Sequence, residues 1–295
     1  MAATLAQRLG FGADERIAIV HCDDIGMCHA ANQGAFEALR RGPATCGSLM
    51  VPCPGFPEAA ELARASPGLD LGVHLTLNAE WPRYRWGPVA GAAAVPSLVD
   101  HEGGLLPTTR ETLERGRPEQ VELELRAQIE RALAAGIDVT HLDAHMGTAL
   151  LPPFGTLYAA LARDYRLPVF AVRPDAAALR AAGVEGAGDF FAALATALEA
   201  AGVPVLDGFD ANSLGFSPGQ GETHNRSRLH GLRPGVNYLI CHPAQGGEEL
   251  SAICPDAHAR DFERGFYGGE AGERALEAEG IRTLGMRALR DLMRG

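Results

Sequence analysis

Residues 16–26, RIAIVHCDDIG, determine most of what the sequence predicts about the fold. The apolar run predicts a buried strand over Arg16–Cys22, and Asp23 and Asp24 follow it directly. Two adjacent carboxylates at the edge of an apolar core repel each other unless something neutralises one of them. The pair therefore marks the end of this strand as a candidate site, although paired aspartates are also common in turns and helix N-caps.

Short β-rich runs and helical stretches alternate along the rest of the chain. Further strands are predicted at Thr45–Val51, Asp70–Leu77, Val139–Leu142, Val169–Val172, Val203–Leu206 and Val236–Cys241. Helices are predicted at Ala31–Arg41, Pro57–Ala65, Glu111–Ala135, Gly155–Arg163, Asp189–Ala200 and, in the main, Gly272–Met293. This alternation predicts an α/β fold with a parallel sheet, and about seven strand–helix units could close the sheet into a TIM-like barrel.

Composition limits the classes of protein to consider. No linker or repeat divides the 295 residues, so a single domain over residues 1–295 is expected, with 1–14 as a loosely ordered N-terminal extension. The net charge of −11 argues against a nucleic-acid partner. The sequence has no run that predicts a membrane span or a secretory signal, so a cytoplasmic protein is expected. The six cysteines lack zinc-type C-x-x-C spacing and are expected to be reduced thiols.

Polar residues recur where other predicted strands end. They are His74, His141, Asp143, His145, Arg173 and His242. Because the carboxyl ends of parallel strands gather on one face of a sheet or barrel, these side chains are expected to converge there. Each has an ordinary alternative: His74 could be a satisfied core histidine, and Arg173 could be a structural ion-pair partner. Their joint placement favours a functional site.

An aspartate and two histidines form a common ligand set for a divalent metal that keeps positions open for water and substrate. The charge of such an ion would let one aspartate stay ionised beside the other. The second aspartate could then take a proton from an activated water, and a histidine could protonate a leaving group. The pattern predicts a metal-dependent hydrolase. A hydrolase of a cyclic amide or phosphodiester, and a non-catalytic metal- or sugar-binding protein, are the alternatives.

The motifs that carry these residues also resemble a known family. HCDDIG (21–26), LGVHLTL (71–77), THLDAH (140–145) and CHPA (241–244) occur in the order seen in the YdjC-like carbohydrate deacetylases, which include chitooligosaccharide deacetylases. The segment LEAEGIRTLGMRALRDLM (276–293) is similar to their closing segment. The resemblance implies a deformed (β/α) barrel, one divalent metal ion and hydrolysis of an N-acetyl group on a sugar.

The resemblance also implies roles for individual residues. Asp24, His74 and His145 correspond to the metal-binding positions, Asp23 to the general base and His242 to the general acid. The spacing leaves open which aspartate is base and which is ligand. The ion is expected to be Zn²⁺ or Mg²⁺, with Mn²⁺ or Co²⁺ also compatible.

Substrate contacts are expected from two further residues. Trp81 lies in a long predicted loop, residues 78–107, where it could stack on a sugar ring or pack the loop down, and Arg173 ends a predicted strand. The expected partner is a small N-acetylated sugar or a related amide, without nucleic acid or membrane, and a homodimer is left open.

Overall fold

The computed structural model describes residues 3–173, 175, 180 and 185–295. Its centre is a parallel sheet of short strands. They are β1 Arg16–Ile25, β2 Cys46–Leu49, β3 Leu71–Leu75, β4 Val139–Ala144, β5 Gly208–Asp210, β6 Gly235–Cys241 and β7 Ile281–Thr283. The strand order is β4-β3-β2-β1-β6-β5, and β7 pairs with the beginning of β1. Every ladder is parallel, which confirms the α/β class expected from the alternation.

Helices follow most of the strands. They are α1 Leu5–Arg8, α2 His29–Arg41, α3 Phe56–Arg64, α4 Thr109–Arg115, α5 Pro118–Ala134, α6 Gly155–Tyr165, α7 Gly188–Ala200, α8 Gly221–His230, α9 Glu248–Ile253, α10 Ala257–Tyr267, α11 Glu270–Ala278 and α12 Met286–Arg294. Two short 3₁₀ segments cover His145–Leu150 and Glu185–Ala187. β1 has a parallel neighbour on each side and is buried along nearly its whole length.

Single bridges continue the sheet between its edge strands β4 and β5. Leu142 of β4 pairs with Val169, and Val172 pairs with Leu206 just before β5, both in parallel. The predicted strands at 169–172 and 203–206 are therefore present only as isolated bridges, not as continuous ladders. These bridges continue the parallel order from β4 to β5, as a deformed TIM-like barrel requires, without a continuous ladder at that point.

The structure corrects one predicted helix and adds a strand to another predicted stretch. The single helix expected over Glu111–Ala135 is two helices, α4 and α5, because Gly116 and Arg117 are extended and Pro118 begins the second helix. The C-terminal stretch is mostly helical, as expected, and it also contains β7, whose Ile281 pairs with Arg16.

The first residues also contribute to the core. Leu5 and Ala6 of α1 are buried in the same apolar cluster as Ile17 and Met286. This packing lies inside the segment expected to be a loosely ordered extension, and it ties α1 to the amino-terminal end of the sheet. The single-domain boundary stays a prediction.

Candidate functional site

A β-bulge at the end of β1 presents both aspartates to the same cavity. Between Cys22 and Ile25 the register with β2 shifts, so three steps along β1 oppose two along β2. Asp24 has a positive φ of 63°, which Asp tolerates better than most side chains. Successive side chains of a regular strand point to opposite faces, and the extra residue removes that alternation. Asp23 and Asp24 can therefore face the same histidines.

Strand pairing brings the other polar residues to this end of the sheet. Cys22 pairs with Cys241, so the two aspartates and His242 follow paired positions on neighbouring strands. His74 pairs with Asp143 across β3 and β4. The carboxyl ends of β1, β3, β4 and β6 thus form one rim.

Asp24, His74 and His145 lie together on this rim. Asp24 Oδ1 is 3.3 Å from His145 Nδ1 and 3.6 Å from His74 Nε2. One ligand atom from each residue lies within 4.8 Å of the others, and all three residues are buried. Asp24 Oδ1 has no hydrogen-bond partner, which is costly for a buried carboxylate oxygen. A cation held by this oxygen and the two imidazole nitrogens would remove that cost, so the residues fit a divalent metal.

Two carboxylates hold the opposite nitrogens of these imidazoles. His74 Nδ1 lies 2.9 Å from Asp143 Oδ2, and His145 Nε2 lies 3.0 Å from Glu80 Oε2. Metal-binding histidines typically have such a carboxylate partner, which fixes the tautomer and the ring orientation. Glu80 was not singled out from the sequence, because a glutamate in a long loop looks like an ordinary solvated residue.

The charges around the site explain the protonation of its buried groups. Burial opposes the charge on His145, but Glu80 and Asp24 raise the pKa of His145 to about 10. Burial also opposes the charge on His74, and Asp143 with Asp23 raises the pKa of that imidazole. In the metal-free arrangement these imidazoles attract protons, so a bound cation would have to displace them.

Arg260 binds the second oxygen of Asp24. Its Nη1 lies 2.7 Å from Asp24 Oδ2, and its Nε lies 2.9 Å from Oδ1 of Asp256, the residue that precedes helix α10. Burial acts to raise the pKa of Asp24, but Arg260 and the nearby imidazoles hold that pKa well below its usual range. The sequence carried no signal for Arg260, because arginines on helices are usually solvated.

Asp23 has one oxygen engaged and one directed into the site. Its Oδ1 lies 2.6 Å from His21 Nδ1. Its Oδ2 lies 3.9 Å from His74 Nε2 and 3.9 Å from His242 Nε2. A carboxylate so placed can accept a proton from a water lying between these groups.

His242 is held through its other ring nitrogen. Its Nδ1 lies 2.9 Å from Ser213 Oγ, and the Ser213 hydroxyl donates to Glu263 Oε2 at 2.6 Å. Glu263 is itself paired with Arg228 at 3.1 Å. Because Nδ1 is engaged, Nε2 is the nitrogen that faces the aspartates. Ser213 and Glu263 were not among the residues predicted from the sequence.

The two residues predicted to contact the substrate differ in their surroundings. Arg173 lies 2.5 Å from Glu199, and about half of its side chain is exposed, 52%. Trp81 is partly buried, and its indole nitrogen has no hydrogen-bond partner. Trp86 of the same loop lies edge-on to His145, with ring centroids 6.3 Å apart. The roles assigned to Arg173 and Trp81 stay predictions.

Two further sequence expectations concern the cysteines and the membrane. All six cysteines are free and buried, and the Cys22 and Cys241 sulfur atoms lie 3.9 Å apart. Across the residues that the structure describes, every helix is too short or too polar to cross a bilayer.

Sequence relatives of this chain are named as deacetylases. A carbohydrate deacetylase of Thermus thermophilus is 45% identical over 164 residues, which cover 55% of this chain and 56% of that protein. A chitooligosaccharide deacetylase of Yersinia enterocolitica is 32% identical over 158 residues, which cover 52% of this chain and 59% of that protein. The chain thus spans little more than half the length of these curated relatives.

One solved structure has the same fold over nearly the whole chain. It is a protein of Enterococcus faecalis for which cellobiose-phosphate cleavage has been suggested. The TM-score is 0.77 at 26% identity, and the alignment covers 93% of this chain and 99% of that chain.

The family assignment rests on most of the sequence. The family described as YdjC-like protein has a sequence model that matches residues 17–282, a range that includes all four motifs of the rim. The resemblance drawn from those motifs is confirmed, and the chain belongs to the YdjC-like family.

Proposed function

We propose that the chain is a metal-dependent hydrolase that removes the acetyl group from an N-acetylated carbohydrate. The observation that carries the proposal is the buried, unpartnered Oδ1 of Asp24, which faces His74 and His145 while Asp23 lies beside it. The names of the relatives support the choice of an acetylated sugar as substrate.

Asp24, His74 and His145 would hold one divalent cation. One carboxylate and two imidazoles suit Zn²⁺, and Mg²⁺, Mn²⁺ or Co²⁺ are also compatible with them. When bound, such an ion polarises the acyl carbonyl and makes a bound water more acidic. Asp143 and Glu80 would keep the two imidazoles in the required orientation.

Asp23 would act as general base. Because His21 engages Oδ1, the free Oδ2 would take the proton as the water oxygen attacks the acyl carbon. Arg260 would keep the neighbouring Asp24 ionised, so that the two aspartates have different tasks.

His242 would act as general acid. As the carbon–nitrogen bond breaks, His242 in its imidazolium form would pass the Nε2 proton to the departing amine nitrogen and keep its Nδ1 proton hydrogen-bonded to Ser213, and acetate and the free amino sugar would be released. Ser213 would fix the ring by its contact with Nδ1. Trp81 and Arg173 are proposed to contact the sugar.

The test combines metal analysis with an acetate-release screen over N-acetylated mono- and oligosaccharides. We expect chelator-sensitive acetate release, restored by one divalent ion per chain. Asp23→Asn should abolish release with the metal still bound, whereas His74→Ala should lose the metal. The matched control is Glu270→Ala, an exposed carboxylate on α11.

Three results would contradict the proposal. They are chelator-resistant release, full activity of Asp23→Asn, and no release from any sugar of the panel. A protein that binds metal and sugar but releases nothing would favour the non-catalytic alternative, for which a base beside the ligands has no purpose.

A further inference from the structure

A chain of buried hydrogen bonds extends from Asp23 into the core of the sheet. His21 Nδ1 lies 2.6 Å from Asp23 Oδ1, and His21 Nε2 lies 2.8 Å from His141 Nε2. His141 Nδ1 in turn lies 2.9 Å from Thr140 Oγ1, which also contacts Asp70. His21, His141 and Thr140 are completely buried. The proposed function uses the contact of His21 with Asp23 but gives no task to His141 and Thr140 behind it.

Packing fixes the orientation of the His21 ring. The ring stacks on Tyr238 of β6, with centroids 4.7 Å apart and an interplanar angle of 28°. It meets His141 edge to face, at 5.0 Å and 78°. With both nitrogens engaged and both neighbours on strands, the imidazole can contact Asp23 in one direction only.

We propose that His21 is a positioning residue for Asp23, and that His141 holds His21 in the orientation this requires. The inference rests on the proposed role of Asp23 as base. The Nδ1–H of His21 anchors Asp23 Oδ1 and so directs Oδ2 towards His74 and His242, each 3.9 Å away. A carboxylate without this anchor is free to turn Oδ2 away from the attacking water.

The proton count supports this direction of the hydrogen bond. A 2.8 Å contact between two Nε2 atoms requires one proton between them. If it is on His21, the ionised Asp23, which can only accept at 2.6 Å, requires a second proton on Nδ1, and that imidazole is a cation. If it is on His141, His21 is neutral, its Nε2 accepts, and its remaining proton is on Nδ1. In either arrangement His21 donates Nδ1–H to Asp23.

A second metal site is the competing interpretation of these residues. Ligand atoms of His21, Cys46 and His141 lie within 4.8 Å of one another. However, two imidazole nitrogens on one tetrahedral zinc ion lie about 3.3 Å apart, whereas these are 2.8 Å apart. Burial also raises the pKa of Cys46 well above its ordinary value, which keeps it a neutral thiol. The contacts favour a hydrogen-bonded pair.

Two variants of His21, each with an amide in place of one ring nitrogen, distinguish the contributions of Nδ1 and Nε2 to turnover. In His21→Asn the amide nitrogen can replace Nδ1, and in His21→Gln it can replace Nε2. We expect His21→Gln to lower kcat by about 10–100-fold with KM and metal content unchanged, because displaced catalytic groups cost rates of this order. His21→Asn should keep kcat within about threefold of the wild type, since it retains the donor to Asp23.

Cys46→Ala is the matched control, because Cys46 is buried beside the pair but outside the chain of hydrogen bonds. It should lower the unfolding midpoint without changing kcat. Equal kcat values for His21→Gln and His21→Asn, or loss of metal in step with kcat in His21→Gln, would overturn the inference. Thermal unfolding of each variant excludes misfolding as the cause.

An NMR measurement tests the inference without any turnover. In protein labelled with ¹⁵N-histidine, His21 Nδ1 should carry a proton whose signal lies far downfield and moves in Asp23→Asn. An unprotonated His21 Nδ1, or a signal unaffected by Asp23→Asn, would overturn the positioning role. If the wild type releases no acetate, the proposed function fails, and this measurement still decides whether His21 anchors Asp23.

Discussion

Arg260 Nη1 lies 2.7 Å from Asp24 Oδ2, and this ion pair joins helix α10 to the end of β1. Only 4% of either side chain is exposed. The pair assigns different tasks to the two oxygens of Asp24, because Oδ2 binds the guanidinium and Oδ1 faces the histidines. A helix remote in sequence therefore keeps the central carboxylate charged and oriented.

Replacement of Arg260 should destabilise the fold strongly. We expect Arg260→Met to lower the free energy of unfolding by about 3–5 kcal/mol, because it leaves a buried carboxylate uncompensated. A saturating divalent ion should recover part of this loss by supplying positive charge at Asp24. Denaturant titrations with chelator and with metal measure both effects.

Arg264→Met provides the control for that measurement. Arg264 lies on the same helix, and its partners Glu37 and Asp261 are partly exposed. Arg264→Met should lower the free energy of unfolding by less than about 1 kcal/mol. Similar losses of unfolding free energy in Arg260→Met and Arg264→Met would contradict a special contribution of the buried Arg260–Asp24 pair to stability.

Removal of the carboxylates behind the histidines should weaken metal binding. Asp143→Asn and Glu80→Ala each remove the carboxylate charge beside one imidazole. We expect about 10–100-fold weaker metal affinity in each, measured by calorimetric titration of the metal-free protein. Glu270→Ala is the exposed control. Unchanged metal affinity in both Asp143→Asn and Glu80→Ala would contradict the role of these carboxylates in metal binding.

Ser213 should affect turnover more than metal binding. Ser213→Ala removes the hydroxyl between His242 Nδ1 and Glu263, so the imidazole loses its fixed orientation. We expect kcat for acetate release to fall about tenfold at unchanged metal content. Ser227→Ala, on the exposed side of α8, should have no effect. A wild-type kcat in Ser213→Ala would show that His242 needs no such support.

Asp138 should make stability depend on pH. Its hydrogen bond with Arg290, and a weaker contribution from Arg287, lower the pKa of Asp138. A lowered folded-state pKa stabilises the protein above the ordinary value of about 3.9, and this stabilisation is lost as the pH falls through the folded-state pKa. Because 56% of its side chain is exposed, we expect Asp138→Asn to cost only about 0.5–1 kcal/mol at pH 7.

Urea titrations of the wild type and Asp138→Asn at neutral and strongly acidic pH measure this effect. The difference in unfolding free energy should shrink at acidic pH, where Asp138 is protonated in both states. A difference that stays constant with pH would mean that its charge contributes nothing.

The strand ends could be predicted because two local signals coincide in them. An apolar run precedes Asp23 and Asp24, and another surrounds His74, so the pattern gives both the strand and the point where polarity begins. Parallel pairing then implies that these ends share one rim. The roles of the individual residues stay predictions.

The missed features depend on contacts that local pattern does not record. Arg260 and Glu263 lie on the amphipathic helix α10. The spacing of charged residues along its sequence does not distinguish a buried charge from a solvated one. β7 has three residues and pairs with the beginning of β1, so tertiary pairing decides its conformation. The break before Pro118 could have been predicted from the sequence, because Gly116 and Pro118 are local signals that interrupt a helix.

The bulge at Asp23 and Asp24 makes the site depend on the number of residues between Cys22 and Ile25 as well as on their side chains. Without the bulge, Asp23 and Asp24 would be successive residues of a regular strand, and their side chains would point to opposite faces. Every motif elsewhere could be kept, yet only one carboxylate could remain at the rim. Anyone transplanting this acidic pair to another barrel would have to copy the insertion together with the two aspartates.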